Sequence, residues 1–290
     1  MKTVILAGGL GTRLSEETAA RPKPMVEIGG YPMLCHIMDR YVRFGFDRFV
    51  VALGYRGDVI KRYFRDLVEL DGDLAIELRA AAFPRPAAAI LASEAGDTRA
   101  AVRVRQATFE PTGDRAGGRT LRLNGSVHLV DTGLDVMTGG RLRRLAPLLR
   151  DETFMLTYGD GVADIDLRAL VDLHRRSGRL ATITAVRPPA RFGGLLLDGS
   201  TVTQFVEKPQ VGEGWINGGF MVFEPAVLER ISSDHSSLET DVLEELAAEG
   251  QLSAYCHTGF WQCMDTLRDV RTLESLWAAG NPPWRTGGAR

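Results

Sequence analysis

Residues 6–24 read LAGGLGTRLSEETAARPKP. Val4, Ile5, Leu6 and Ala7, which lead into it, form a continuous apolar run, the pattern of a central strand in a parallel sheet covered on both faces. Gly8, Gly9 and Gly11 then let the chain turn tightly and bring bare N–H groups against an anion, an approach that a Cβ would obstruct. Thr12, Arg13 and Lys23 add a hydroxyl and two cations, and Pro22 and Pro24 stiffen the return. Together these residues read as a phosphate cradle at the carboxyl end of a strand. Gly8 and Gly9 alone would equally suit a tight turn with no ligand.

Two familiar glycine loops fail here. A Walker loop ends in Gly-Lys-Ser/Thr after four spacer residues, which this stretch lacks. A dinucleotide fingerprint needs a glycine where Leu14 stands. It also needs an acid near the end of the second strand, where Phe49, Val50, Val51, Ala52 and Leu53 supply none.

The 290 residues are 44% hydrophobic and 25% charged, as in an ordinary globular protein, and long enough for one large α/β domain. No apolar stretch approaches the roughly 18 residues of a membrane span. A formal net charge of −2 gives no field that would drive binding to nucleic acid or a membrane surface. The first strand has no basic-then-apolar leader before it, so the cytoplasm is the expected compartment. Cys35, Cys256 and Cys263 are too sparse for a disulfide framework, and with His257 they lack the close pairs of a zinc site; buried inert thiols are expected. His36, His128, His174 and His235 are scattered, and none is assigned to catalysis.

Apolar periodicity predicts helices over 33–44, 59–70, 167–175 and 267–279, and strands at 48–53, 154–157, 181–186 and 215–223. This alternation predicts an α/β fold with a mixed, mostly parallel central sheet flanked by helices. Ligands in such sheets bind beyond the carboxyl ends of the strands, so the cradle and the Gly159-Asp160-Gly161 turn should share one edge. We expect one domain over residues 1–290. Residues 79–127 break the pattern with Ala-, Pro-, Gly- and Arg-rich sequence and read as an insertion, either a surface excursion or a lid or oligomer arm.

Asp160, between two glycines after an apolar strand, presents a carboxylate at the ligand edge and suits Mg²⁺, which takes one or two protein carboxylates and completes its shell with water and phosphate oxygens. Asp265 is a second candidate, although the same position also suits a helix N-cap. Asp131, Asp164 and Asp166 have no comparable setting. Lys208, in FVEKP, is either a solvated surface charge or a second cation aimed at the cleft. Asn217, in WINGGFMVF, suits either a hydroxylated ligand or a turn at a β-bulge. No Ser-His-Asp or Cys-His arrangement is legible, so a covalent nucleophile is not indicated. Cations, carboxylates and glycine turns are the parts of phosphoryl or nucleotidyl transfer.

GGLGTRL followed by PKPM resembles the signature of the sugar-phosphate nucleotidylyltransferases. SEETAARPKPMVEIGG, VDTGLDVMTGGRL, TYGDGVADID, RFGGL, EKP, INGGF and GFWQCMDTLRD narrow the resemblance to the glucose-1-phosphate cytidylyltransferases. The resemblance implies a Rossmann-like nucleotide-diphospho-sugar transferase fold, with Mg²⁺, CTP and α-D-glucose 1-phosphate giving CDP-glucose and pyrophosphate. An oxygen of the sugar phosphate would attack the α-phosphorus in line. It implies that Leu6, Ala7, Gly8, Gly9, Gly11, Thr12 and Arg13 hold the nucleotide, with Arg13 on the β- and γ-phosphates and Lys23 on the phosphate being substituted. Thr138, Gly139, Gly140 and Arg141 match the segment near base and ribose. Tyr158, Gly159, Gly193, Glu207, Lys208, Asn217 and Gly218 would surround the sugar phosphate, and Asp160 and Asp265 would bind Mg²⁺.

The chain departs from the family where LRLNGSVHLVDTG follows the insertion in place of a shorter stretch with a Pro-Trp pair. In the family this region helps to form subunit contacts near the nucleotide, so a homo-oligomer is expected. Two alternatives stay open: a nucleotidylyltransferase for another NTP or another phosphorylated acceptor (sugar, cyclitol or phosphonate), and a non-catalytic nucleotide-sugar-binding regulator.

Overall fold

A computed structural model describes residues 1–9, 21–69, 125–188, 194–198, 201–206 and 214–287. Its main sheet has seven strands: β1 Thr3–Ala7, β2 Arg48–Leu53, β3 Ser126–Asp131, β4 Phe154–Tyr158, β5 Ala181–Val186, β6 Ile216–Phe223 and β7 Leu252–His257. Their order is β7-β5-β6-β4-β1-β2-β3. All neighbours run parallel except β6, which is antiparallel to both β4 and β5. The expected mixed, mostly parallel sheet is what forms.

The continuous apolar character of β1 and β2 follows from burial on both faces. Ile5 and Ala7 face the same side as Phe49, Val51 and Leu53, in a core with helices α1 (Met33–Arg43), α2 (Gly57–Glu69), α4 (Leu167–Ser177) and α5 (Leu267–Ala278). Val4, Leu6, Val50 and Ala52 face the opposite core, with α3 (Thr138–Arg144) and apolar residues of segment 225–248. Among the described residues no helix is long and apolar enough to cross a membrane.

Local sequence sets the helix ends. Asp166 caps α4, its Oδ1 accepting from the N–H groups of Arg168 and Ala169, which accounts for that acid without a ligand. Thr266, not Asp265, caps α5 in a reciprocal capping box with Asp269. The thiols divide by position: Cys35 is buried in α1, Cys263 is half-buried, and Cys256 is exposed because it points outward on the edge strand β7. The expectation of three buried thiols is corrected for Cys256 and Cys263.

From β1 the chain builds outward through β2 and β3, then returns to place β4 on the other side of β1. The strand order reverses there, and the carboxyl ends of β1 and β4 open the crevice where such sheets bind ligands.

Candidate functional site

Beyond those two strand ends lies a cleft of about 440 Å³, lined by Gly8 and Gly9 just after β1, by Tyr158 at the end of β4 with Gly159 and Asp160 just after it, and by Lys23, Thr138 and Asp265 among others. Gly159 lets the walls close: a Cβ there would stand 2.7 Å from Pro24 Cγ and 3.0 Å from the Leu6 carbonyl. The proline-flanked turn Lys23–Met25 thereby packs against the end of β4 and aims Lys23 into the cleft.

Asp160 and Asp265, distant in sequence, are joined by a short antiparallel ladder in which Gly161 pairs with Cys263 and Ala163 with Trp261. The Met264 N–H also donates to the Asp160 carbonyl at 2.8 Å. Since the α5 cap is Thr266, the Asp265 side chain is released for the cleft, while its backbone N–H donates to Asp269 Oδ2. Lys23 Nζ donates to both acids, at 2.7 Å to Asp160 Oδ2 and 2.5 Å to Asp265 Oδ1. Burial works against the Lys23 charge, but the two carboxylates outweigh it and raise the pKa above that of an ordinary lysine. Two acids converging on one cation centre fit Mg²⁺, whose remaining sites go to water and phosphate. Among the described residues no group of three or more metal-binding side chains occurs, so substrate oxygens would have to complete such a shell.

Arg141 lies in the wall, 4% exposed. Its guanidinium donates to the carbonyls of Gly8 (3.0 Å), Leu53 (3.1 Å), Gly133 (2.7 Å) and Leu134 (3.2 Å), and to Thr132 Oγ1 (2.8 Å). It therefore clamps the ends of β1 and β2 and the segment after β3. Gly139 and Gly140 allow close packing, since a Cβ on either would stand within 2.7 Å of the Ser236 or 2.2 Å of the Asp234 carbonyl oxygen. At Gly9, by contrast, nothing among the described residues lies within 4 Å of such a Cβ.

Behind the lining residues Tyr158 and Thr138 stands a carboxylate that sequence reading missed. Glu239 Oε1 accepts from the Tyr158 hydroxyl at 2.6 Å, and Oε2 accepts from Thr138 Oγ1 at 2.6 Å and Ser237 Oγ at 2.9 Å. Burial alone would raise its pKa, yet these donors hold it below the usual carboxylate range. Burial and Glu239 together push the Tyr158 phenol well above an ordinary tyrosine. In sequence, Glu239 sits just after Ser237, which caps the following turn, and looks like any acid in a first helical turn. Asn217 lies where the register of β5 and β6 shifts, the expected bulge, and its Oδ1 accepts from the Gly219 N–H at 3.0 Å. Gly218 packs on Val186.

The structure thus brings together Leu6, Ala7, Gly8, Gly9, Lys23, Thr138, Arg141, Tyr158, Gly159, Asp160 and Asp265 at one cleft. Gly11, Thr12, Arg13, Gly193, Glu207 and Lys208 lie outside the described residues, as does all but the last part of segment 79–127.

The sequence profile of the nucleotidyl transferase family matches residues 2–111 and 136–282. The glucose-1-phosphate cytidylyltransferase of Salmonella typhi is 45% identical over 287 residues, covering 99% of both chains. A probable glucose-1-phosphate cytidylyltransferase of Bacillus subtilis is 34% identical, covering 98% of this chain and 99% of that one. Among solved structures, HddC from Yersinia pseudotuberculosis superposes with a TM-score of 0.61 at 22% identity, over 95% of this chain and 99% of its own.

Proposed function

The chain belongs to the glucose-1-phosphate cytidylyltransferases of the nucleotidyl transferase family, and on that premise we propose how its residues divide the transfer of a cytidylyl group from CTP to α-D-glucose 1-phosphate. The observation that carries the reading is the convergence of Lys23, Asp160 and Asp265 beside the glycine turn of β1, at the point where strand order reverses.

Both reactants are anions, and the work of the site is to bring them together. The turn from Gly8 onward offers N–H groups to the triphosphate, with Arg13 on its β- and γ-phosphates. Lys23 neutralises the α-phosphate as the sugar phosphate oxygen attacks in line and pyrophosphate leaves. Lys208 grips the sugar phosphate, and Glu207 and Asn217 the sugar hydroxyls. A preorganised donor of this kind contributes on the order of 3 kcal/mol to the transition state. Mg²⁺, held by Asp160 and Asp265, would supply further neutralisation of phosphate charge. The base lies toward the 138–141 segment. Its choice is set less by the Arg141 side chain, whose donors already serve carbonyls, than by the surfaces of Met137 and Thr138.

Pyrophosphate release, measured for each nucleoside triphosphate against a panel of sugar 1-phosphates, tests the reading. CTP with glucose 1-phosphate should give the highest kcat/KM. A better pair would establish a different base or acceptor, and no release with any pair would leave a nucleotide-sugar-binding regulator. A homo-oligomeric state and a cytoplasmic location belong to the same reading; light scattering and fractionation test them.

A further inference from the structure

We propose that Glu239 is a positioning residue for the acceptor: it fixes the polarity of the Tyr158 hydroxyl, and through it the hydrogen-bonding pattern offered to the sugar. This rests on the acceptor side of the cleft being the Tyr158–Asn217 side, as in the function proposed above.

Three chain segments meet at this carboxylate. Tyr158 ends β4, Thr138 begins α3, and Glu239 comes from the helical turn Leu238–Leu243, which packs in the same core as α3. An ionised carboxylate can only accept, so the Tyr158 hydroxyl, its oxygen 2.6 Å from Oε1, commits its proton to Glu239. The phenolic oxygen then presents only lone pairs elsewhere. Asn217 Nδ2 approaches it at 3.5 Å, with the amide oriented by the Gly219 N–H on its Oδ1. The pair, of which Tyr158 lines the cleft, therefore shows one acceptor, Tyr158 Oη, beside one donor, Asn217 Nδ2. That arrangement suits a single hydroxyl that donates to the tyrosine and accepts from the asparagine, the pattern of a sugar alcohol group. The second carboxylate oxygen is occupied by Thr138 and Ser237, so Glu239 cannot turn away without breaking contacts on the α3 side. Thr138 Oγ1 is itself fixed, accepting from the Leu238 N–H at 2.9 Å.

Glu239→Gln keeps the volume but places an amide where one acceptor stood, allowing Tyr158 to reverse its hydroxyl. The test is a double-mutant cycle with Tyr158→Phe, read on the KM for the acceptor, on kcat, and on thermal melting. We expect Glu239→Gln to raise the acceptor KM about tenfold, a factor equivalent to one hydrogen bond, while kcat falls less. Tyr158→Phe should do the same. The double variant should be no worse than Tyr158→Phe alone, because without a hydroxyl there is nothing left to orient. Independent effects that multiply, or an acceptor KM within twofold of wild type in Glu239→Gln, would overturn the proposal. A residue that only holds the fold would lower the melting temperature and multiply with Tyr158→Phe. If wild-type enzyme prefers another acceptor, the function proposed above fails, and the same cycle on that acceptor still decides the role of Glu239.

Discussion

The Arg141 guanidinium donates to the Gly8 carbonyl at 3.0 Å and fills the space that a side chain at position 8 would need. A glycine that reads as a ligand-binding residue thus has a second reason to be glycine. A Cβ on Gly8 would stand 2.2 Å from Arg141 Nη1, and one on Gly54 would stand 2.6 Å from the same atom. The two glycines after β1 and β2 let one side chain tie both strand ends to the segment following β3.

Gly8→Ala should therefore displace the clamp. Overpacking of this kind costs about 1–3 kcal/mol, and the loop that carries the triphosphate should move with it, so turnover should fall more than stability. Arg141→Lys should be more destabilising still, because an ammonium cannot span several carbonyls and leaves buried acceptors unpaired. Denaturant unfolding with both variants checks this. A Gly8→Ala protein as stable and active as wild type would refute the clamp.

Lys23 Nζ holds Asp160 and Asp265 together, 2.7 Å from the one and 2.5 Å from the other. Lys23→Met should leave two partly buried carboxylates facing each other, lowering the melting temperature in the presence of a chelator. Millimolar Mg²⁺ should restore part of the loss in the variant and change wild type little, because without nucleotide the Lys23 ammonium competes for both carboxylates. Equal Mg²⁺ responses in both proteins would argue against that competition. Turnover in Lys23→Met should fall by a factor of about 10²–10³.

Asp160→Asn should remove most turnover with little change in folding, since Asp160 is about one-third exposed and its backbone bond to Met264 is retained. Asp265→Asn should behave similarly. Its structural neighbour Thr266 offers the control: Thr266→Ala removes the α5 cap and should cost about 1 kcal/mol of stability, with a smaller effect on kcat. If Asp265→Asn loses stability like Thr266→Ala and keeps its turnover, Asp265 has no place in the chemistry.

The parts of this site that are legible in sequence are those fixed by local pattern. The apolar runs of β1 and β4 are buried on both faces, and the glycines that end them mark where each strand stops, so pattern alone puts Gly8, Gly9, Gly159 and Asp160 at one sheet edge. Asp265 is ambiguous in sequence because a capping position and a ligand position look alike; only the capping box at Thr266 and Asp269 separates them. Glu239 and the clamp of Arg141 are not legible. Each depends on contacts between segments far apart in the chain, and neither residue breaks a local rule that would mark it. The edge position of β7, which exposes Cys256, likewise follows from strand order and not from its own sequence.

Stability should also depend on pH through His36, which is 1% exposed. The Trp284 indole N–H donates to its Nδ1 at 3.2 Å, and Nε2 lies 2.8 Å from the Ile28 carbonyl, so the network assigns a neutral ring protonated on Nε2. Burial, above all, lowers the pKa to about 4; nearby Arg285 adds to this, and Asp39 and the Ile28 carbonyl oppose it. Between pH 6.5 and 4 the unfolded chain takes up a proton at this site that the folded protein refuses, so stability rises with pH across that window and is lost on acidification. The shift corresponds to on the order of 3 kcal/mol. A second proton would also meet the Trp284 N–H head on and loosen residues 284–287, where Arg40 holds the Thr286 carbonyl. His36→Gln keeps one donor and one acceptor but does not titrate, so its unfolding free energy should fall less steeply below about pH 6.5. Parallel curves for the two proteins from about pH 7 to pH 4 would show that His36 is not the group responsible.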